Sequence, residues 1–345
     1  MKTTVDQLYP DIWQQVFEYF NAIELFVSFM HVTRAADEVL FNRNHHFRLR
    51  GLVIDAYVET LPEKLSLDQI ISLELHEDSC LNIIEQCLEL RSLKLIGRTE
   101  WVICLLRRIS YVNMKLEQLV LTVPGIRALH DLLASITSLF SLRRLAIHAN
   151  ELEEKVKAGA LSLTHTKIEQ FILHSCSSIS WNELSNMLAG LSNIRFLEIT
   201  LFHHNINSSC WFTFPKLRYI CLILVEVSFE WVIQLVKTMP SLVKLKLKGL
   251  VGGEGFVINH KWLDLFESCS SLAIVQVNVS LEKDTHYFCS DMIQATLREI
   301  NLNLRCIEDD YEYYSDKRND YRWWNLSGMV IKQHGHVVKS HQKNS

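Results

Sequence analysis

The stretch Leu116-Glu117-Gln118-Leu119-Val120-Leu121 decides the fold, because it returns as Leu142-Arg143-Arg144-Leu145-Ala146-Ile147, as Ile168-Glu169-Gln170-Phe171-Ile172-Leu173 and as Ile194-Arg195-Phe196-Leu197-Glu198-Ile199. Each copy puts apolar side chains at positions 1, 4 and 6. Positions 4 and 6 are two apart, so both point to one side of an extended chain, and position 1 turns inward just before them. Working outward, the triplet recurs upstream as Leu90-Leu93-Leu95 and Ile70-Leu73-Leu75. Downstream it recurs as Leu217-Ile220-Leu222, Leu242-Leu245-Leu247, Leu272-Val275-Val277 and Leu297-Ile300-Leu302. Successive copies start 20, 26, 26, 26, 26, 23, 25, 30 and 25 residues apart. Four consecutive intervals of 26 are hard to obtain by chance in a merely leucine-rich chain. One short strand cannot bury its apolar face alone, whereas a stack of such strands can.

The segments between the triplets have helical spacing. Trp101, Leu105 and Ile109 recur every four residues, as do Trp231, Leu235 and Met239; Leu184, Leu188 and Leu191 nearly do, and Trp262 is followed by Phe266. Pro124-Gly125 suits a helix start before Ile126, Leu129, Leu133 and Ile136. A strand followed by a helix at a period near 26 resembles the leucine-rich-repeat family over residues 70–305, with Ile168 to Leu191 the best-matching unit and Cys176 where that family places Asn or Cys. Most other units lack an Asn or Cys there. The resemblance implies an α/β solenoid, a parallel-strand horseshoe with helices on its convex side. An ordinary α/β domain with leucine-rich strands is the alternative, and it does not explain a fixed period.

Residues 1–50 do not follow the repeat. Pro10 suits the first turn of a helix, where its missing N–H costs nothing. Ile12, Val16 and Phe20 then share one face, and a second stripe holds Leu25, Phe26, Phe29 and Met30, ahead of a third short stretch from Ala35 to Phe41. Three short helices cover only a small core, so apolar surface is expected to remain for a partner. The run Leu8, Pro10, Asp11, Ile12, Val16, Phe17, Tyr19, Phe20, Leu25 and Phe29 resembles an F-box. Tyr9 separates Leu8 from Pro10 where the family has them adjacent, and Val32-Thr33-Arg34-Ala35 lacks the family's tryptophan. The resemblance implies docking on a Skp-type adaptor of a cullin–RING ubiquitin ligase through Leu8, Pro10, Ile12, Val16 and Leu25. The alternative is a plain helical cap shielding the first repeat from water. The resulting division is an F-box-like domain at 1–50, a linker or first cap at 51–69, the solenoid at 70–305, and a C-terminal cap and polar tail at 306–345, with Trp323 and Trp324 capping the last repeat.

In such a stack, positions 3, 5 and 7 face the concave side. There Phe196 and Tyr219 are neighbours on adjacent strands beside Ile172 and Ile223, and an aromatic pair of this kind makes a good interface anchor. Lys244, Lys246 and Lys248 alternate along the next strand, a basic patch suited to an acidic or phosphorylated protein. These seven residues are the candidate substrate contacts. A solvated lysine face and aromatic packing under a loop are the plain alternatives.

Composition narrows the function classes. The 345 residues are 48% hydrophobic and 21% charged with a net charge of -4, so no global basic excess invites nucleic acid. The longest dense apolar run, Tyr219 to Val225, is far short of the about 20 residues of a membrane span, and no secretory signal pattern opens the sequence. Nine scattered cysteines without a Cys-x-x-Cys pair point to reduced thiols in the cytoplasm or nucleus. Gly249 to Gly255 lacks a phosphate loop's Gly-Lys-Ser/Thr ending and reads as an inserted loop. His148 and His174 fall on neighbouring strands without a third ligand, so no metal or other cofactor is expected. The reading is therefore a non-catalytic substrate-recognition adaptor with an unknown protein substrate. The rival is a repeat scaffold without a ligase link.

Overall fold

A computed structural model describes residues 5, 8–42, 47–55, 65–77, 81–110, 115–126, 129–152, 167–175, 181, 184, 188, 190–202, 212–251, 254–282, 303–309 and 323–331. The chain forms two compact units, residues 1–168 with 175–177 and residues 169–174 with 178–345.

The first unit opens with three helices, α1 (Pro10–Phe17), α2 (Ala22–Phe29) and α3 (Arg34–Phe41). Each has a local reason to start where it does. Pro10 occupies the first turn of α1. Asn21 caps α2 in a reciprocal box: its Oδ1 accepts from the Glu24 N–H at 2.9 Å, and its own N–H donates to Glu24 Oε2 at 2.8 Å. Thr33 Oγ1 accepts from the Ala36 N–H at 3.0 Å at the head of α3. An aromatic cluster closes the trio. Trp13 and Phe17 of α1 lie 5.4 Å apart, Phe29 of α2 sits 5.3 Å from Phe17, and Phe47 lies 5.8 Å from Phe17.

The sheet of this unit runs β1 (Leu52–Ile54), β2 (Ser72–His76), β3 (Ser92–Ile96), β4 (Gln118–Ile126) and β5 (Arg144–Leu152), all parallel and in sequence order. The expected triplets are the rungs. Leu73, Leu93, Leu119 and Leu145 stand in one register, and all are 0–1% exposed. The sequence reading missed one rung. Leu49, Leu52 and Ile54, partly inside the segment assigned to a linker, repeat the same 1-4-6 spacing, are buried, and pair with Ile70, Leu73 and Leu75. Helices α4 (Thr99–Ile109) and α5 (Leu129–Thr137) follow β3 and β4; of their expected stripes Leu105, Ile109, Leu133 and Ile136 are buried, and Trp101 is half-buried. Pro124-Gly125 does not open α5. Strand β4 continues through both residues, because its pairing with β5 extends to Ile126 opposite Leu152.

The second unit holds β6 (Gln170–Ser175), β7 (Phe196–Phe202), β8 (Tyr219–Val227), β9 (Lys244–Val251) and β10 (Ile274–Glu282), again parallel and sequential. Helices α6 (Phe229–Lys237) and α7 (Asn259–Ser268) follow β8 and β9. The glycine-rich stretch is a structural insert: Phe256 lies 4.7 Å from Phe229, and the Trp262 Nε1–H donates to the Phe256 carbonyl at 2.9 Å. Gly249 of β9 has φ +96°, and a Cβ there would collide with the Leu224 carbonyl oxygen of β8, so only glycine fits this rung.

The end of the second unit departs from simple succession. Residues Leu297, Ile300 and Leu302 lie outside the described residues. Beyond them come β11 (Asn303–Asp309) and β12 (Trp323–Ile331), and β12 inserts antiparallel between β10 and β11. The segment expected to cap the stack through Trp323 and Trp324 is thus itself a strand of the sheet. Leu326 opposes Val279 and is 0% exposed, so β12 contributes to the apolar layer. The result is an α/β, leucine-rich-repeat-like solenoid of sequential strands preceded by three short helices.

Candidate partner-binding surfaces

Two surfaces collect the residues that the sequence singles out. The first is on the helical trio. Helix α1 turns Trp13 and Phe17 inward, both 3% exposed or less, which leaves Ile12 and Val16 of the expected stripe toward the outside, while Phe20, beyond the helix, packs 5.0 Å from Phe29. Ile12 is 41% exposed, while Leu8, Pro10 and Val16 are half-buried. Leu25 behaves differently from the others: it is 0% exposed, sealed with Ala22 in the core of the trio. The outward positions of α2 belong to Ile23 and Val27, four residues apart and therefore on one side, at 45% and 82% exposure. Tyr9 and Tyr19 are also largely exposed. Sequence reasoning named Tyr9 and Tyr19 without assigning them a contact, and it missed Ile23 and Val27. Their signal was their angular offset from Trp13, Phe17 and Leu25, whose bulk claims the interior.

The second surface is the open face of the second unit, opposite the buried leucines. Strand alternation builds it as a grid. One row reads Gln170, Phe196, Tyr219, Lys244 and Ile274; the next reads Ile172, Glu198, Cys221, Lys246 and Gln276; a third brings Thr200, Ile223, Lys248 and Asn278 into register. The expected aromatic pair is stacked, with ring centroids 4.7 Å apart and planes at 6°. Lys244, the register partner of Tyr219 on β9, places its Nζ 5.4 Å from the Tyr219 ring centroid. Ile172 and Cys221 are almost covered, at 7% and 1% exposure, so the longer chains around them form the accessible relief.

Charge on this face is only partly balanced. The Glu198 carboxylate is 3.3 Å from His174 Nε2 and 4.0 Å from Lys248 Nζ. The lysine triplet expected from the sequence is therefore a mixed patch at its Lys248 end and a cationic one toward Lys246 and Lys244. Burial, with the Glu198 carboxylate adding to it, pushes the Cys221 thiol up to about 11, so this sulfur is an inert, protonated part of the floor. Tyr219 is likewise pushed up, by burial first and then by Cys221 and Glu198.

The corresponding face of the first unit is self-neutralised at its charged end. Glu74 lies 3.1 Å from both Lys94 Nζ and His76 Nε2. Toward β4 and β5 the same row continues as Val120 and Ala146, with Arg144 two residues before Ala146 on β5. His148 lies on β5 of the first unit and His174 on β6 of the second. Among the described residues, no group of three or more His, Cys, Asp and Glu side chains is arranged to hold a metal ion, and no helix is long and apolar enough to cross a membrane. Compared with known proteins, the chain matches no family model and no curated protein.

Proposed function

We propose that the chain is a substrate-recognition adaptor of a Skp–cullin–F-box ubiquitin ligase. In this reading the N-terminal helices dock on a Skp-type adaptor, and the repeats hold a protein substrate for ubiquitin transfer by other subunits, with no chemistry performed by the chain itself. The observation that carries the reading is the set of outward apolar side chains on a three-helix domain in front of a repeat stack: Ile12, Ile23 and Val27 are all more than 40% exposed. Water disfavours such a set, and a partner helix bundle would cover it. Leu8, Pro10, Ile12 and Val16 are the adaptor contacts; Leu25 supports them from the core. On the repeats, Phe196, Tyr219, Ile223, Lys244, Lys246 and Lys248 are the substrate contacts, with Ile172 beneath them.

The test is co-purification of the full chain with a Skp-type adaptor, comparing wild type with Ile12→Asp and Val27→Asp. Capture by wild type and loss in both folded variants is the expected result. Absence of capture by a folded wild-type chain ends the proposal.

A second reading is a repeat scaffold without a ligase link. One contact favours it: α2 packs on β1, and the Ala22 N–H donates to the Arg50 carbonyl at 2.8 Å, which is what a solenoid end cap requires. Deleting residues 1–45 would then lower stability and leave substrate binding unchanged.

A further inference from the structure

We infer that the protein held by the second unit presents an acidic, Asp/Glu-rich segment, and that Arg195 and Arg218 at the strand-start rim read it together with Lys244 and Lys246. The inference rests on the reading that the repeats hold a protein, and it adds a class of ligand and two residues outside the expected strand positions.

Arg195 and Arg218 immediately precede β7 and β8. Their backbones form consecutive steps of one ladder: the Arg218 N–H donates to the Arg195 carbonyl at 2.9 Å, and the Lys244 N–H donates to the Arg218 carbonyl at 3.0 Å. Adjacent steps in such a ladder are about 4.8 Å apart. Both arginines are exposed, and neither forms an ion pair with a described residue. Phe196 and Tyr219 come one residue further along the same two strands, and Lys244 lies in their row on β9. Among the described residues, five cations (Arg195, Arg218, Lys244, Lys246 and Lys248) thus stand on or just before three neighbouring strands, against two carboxylates, Glu169 and Glu198, and Glu198 is engaged by His174 and Lys248. A chain with a net charge of -4 concentrates positive charge here.

The spacing suits a short acidic run. From the rim to Lys246 is three residues along a strand, roughly 10 Å, which three or four extended acidic residues span. Planar guanidinium groups take carboxylates bidentately. The aromatic geometry argues against nucleic acid. Binding a single strand needs free ring faces for base stacking. Tyr219 is stacked on Phe196 and has the Lys244 ammonium 5.4 Å from its ring centroid, so less of its ring surface is left for a base.

The probe is a fluorescein-labelled peptide of six glutamates flanked by glycines, titrated with the full chain by anisotropy, with a six-nucleotide oligothymidylate as competitor. Wild type is expected to bind the peptide with an affinity that falls as NaCl is raised. Arg195→Ala/Arg218→Ala and Lys246→Ala are each expected to weaken it about tenfold, Arg195→Lys/Arg218→Lys to restore part of it, and Lys94→Ala in the first unit to change nothing. Circular dichroism checks that every variant is folded. An unchanged affinity in the double alanine variant, no binding by wild type, or tighter binding of the oligothymidylate overturns the inference. Adaptor capture, measured on the same proteins, reports separately on the helical trio.

Discussion

Replacing Leu119 by Ala tests the stacked-rung architecture at its centre. Leu119 of β4 lies in register between Leu93 of β3 and Leu145 of β5, and all three are 0% exposed. The substitution removes three carbons from a fully buried site. At about 0.8 kcal/mol per buried carbon group this loses about 2.4 kcal/mol of transfer free energy. Strands held by ladders on both sides cannot close the gap, so a cavity contribution of roughly 1 kcal/mol is added. The expected loss is about 3–4 kcal/mol. Gln118, one residue earlier and exposed, provides the control: Gln118→Ala stays within about 0.5 kcal/mol. Urea unfolding followed by circular dichroism measures both, as a shift of the midpoint at constant slope. Because each rung touches only its neighbours, hydrogen exchange in the Leu119 variant should rise first in β3, β4 and β5. A Leu119→Ala loss below about 1 kcal/mol would mean that this side chain does not fill a shared interior, and the rung assignment would fail.

Three further outcomes follow from local geometry. Gly249→Ala forces a Cβ into the Leu224 carbonyl at a positive φ and is expected to cost at least about 2 kcal/mol in the same urea assay, with Gly97→Ala as a comparison that meets Glu77 Cβ and the Trp101 ring without a positive φ. Asn21→Ala removes the reciprocal cap of α2 and should lower stability by about 1 kcal/mol, with Asn21→Asp keeping most of it. Burial pushes the Cys87 thiol up to about 12 and that of Cys221 to about 11, against 9.0 when exposed. The folded state therefore holds these protons more tightly than the unfolded state. Their contribution is intact below about pH 9 and is lost as pH rises toward 12, so alkaline unfolding should begin in that window and be blunted in Cys87→Ala; at pH 8, iodoacetamide should label exposed Cys104 while sparing Cys87 and Cys221.

The repeat was legible because its apolar spacing is set by backbone geometry, which leaves leucine few alternatives at positions 1, 4 and 6. What escaped the reading was set by neighbours. The rung at Leu49, Leu52 and Ile54 has the right spacing but adjoins the helical segment, so it was absorbed into a linker. Pro124-Gly125 carries turn chemistry, yet the ladder to β5 outweighs that local preference. In the trio, Leu25 matched an interaction motif but is claimed by the core, and Ile23 and Val27 hold the outward places. On the open face, alternation placed Phe196, Tyr219 and the lysines correctly beside one another. It gave no account of Glu198, whose ties to His174 and Lys248 moderate the basic patch, nor of Arg195 and Arg218, which sit one residue before the strands.

The antiparallel insertion of β12 bears on how the protein is made. Strand β10 emerges from the ribosome with one edge unsatisfied, and its eventual partner is encoded some forty positions later, at Trp323–Ile331. Until that stretch is translated, the nascent chain carries an open strand edge able to pair with another chain. A premature stop anywhere between β10 and β12 would leave that edge permanently bare, making truncated products sticky even though every preceding rung is present.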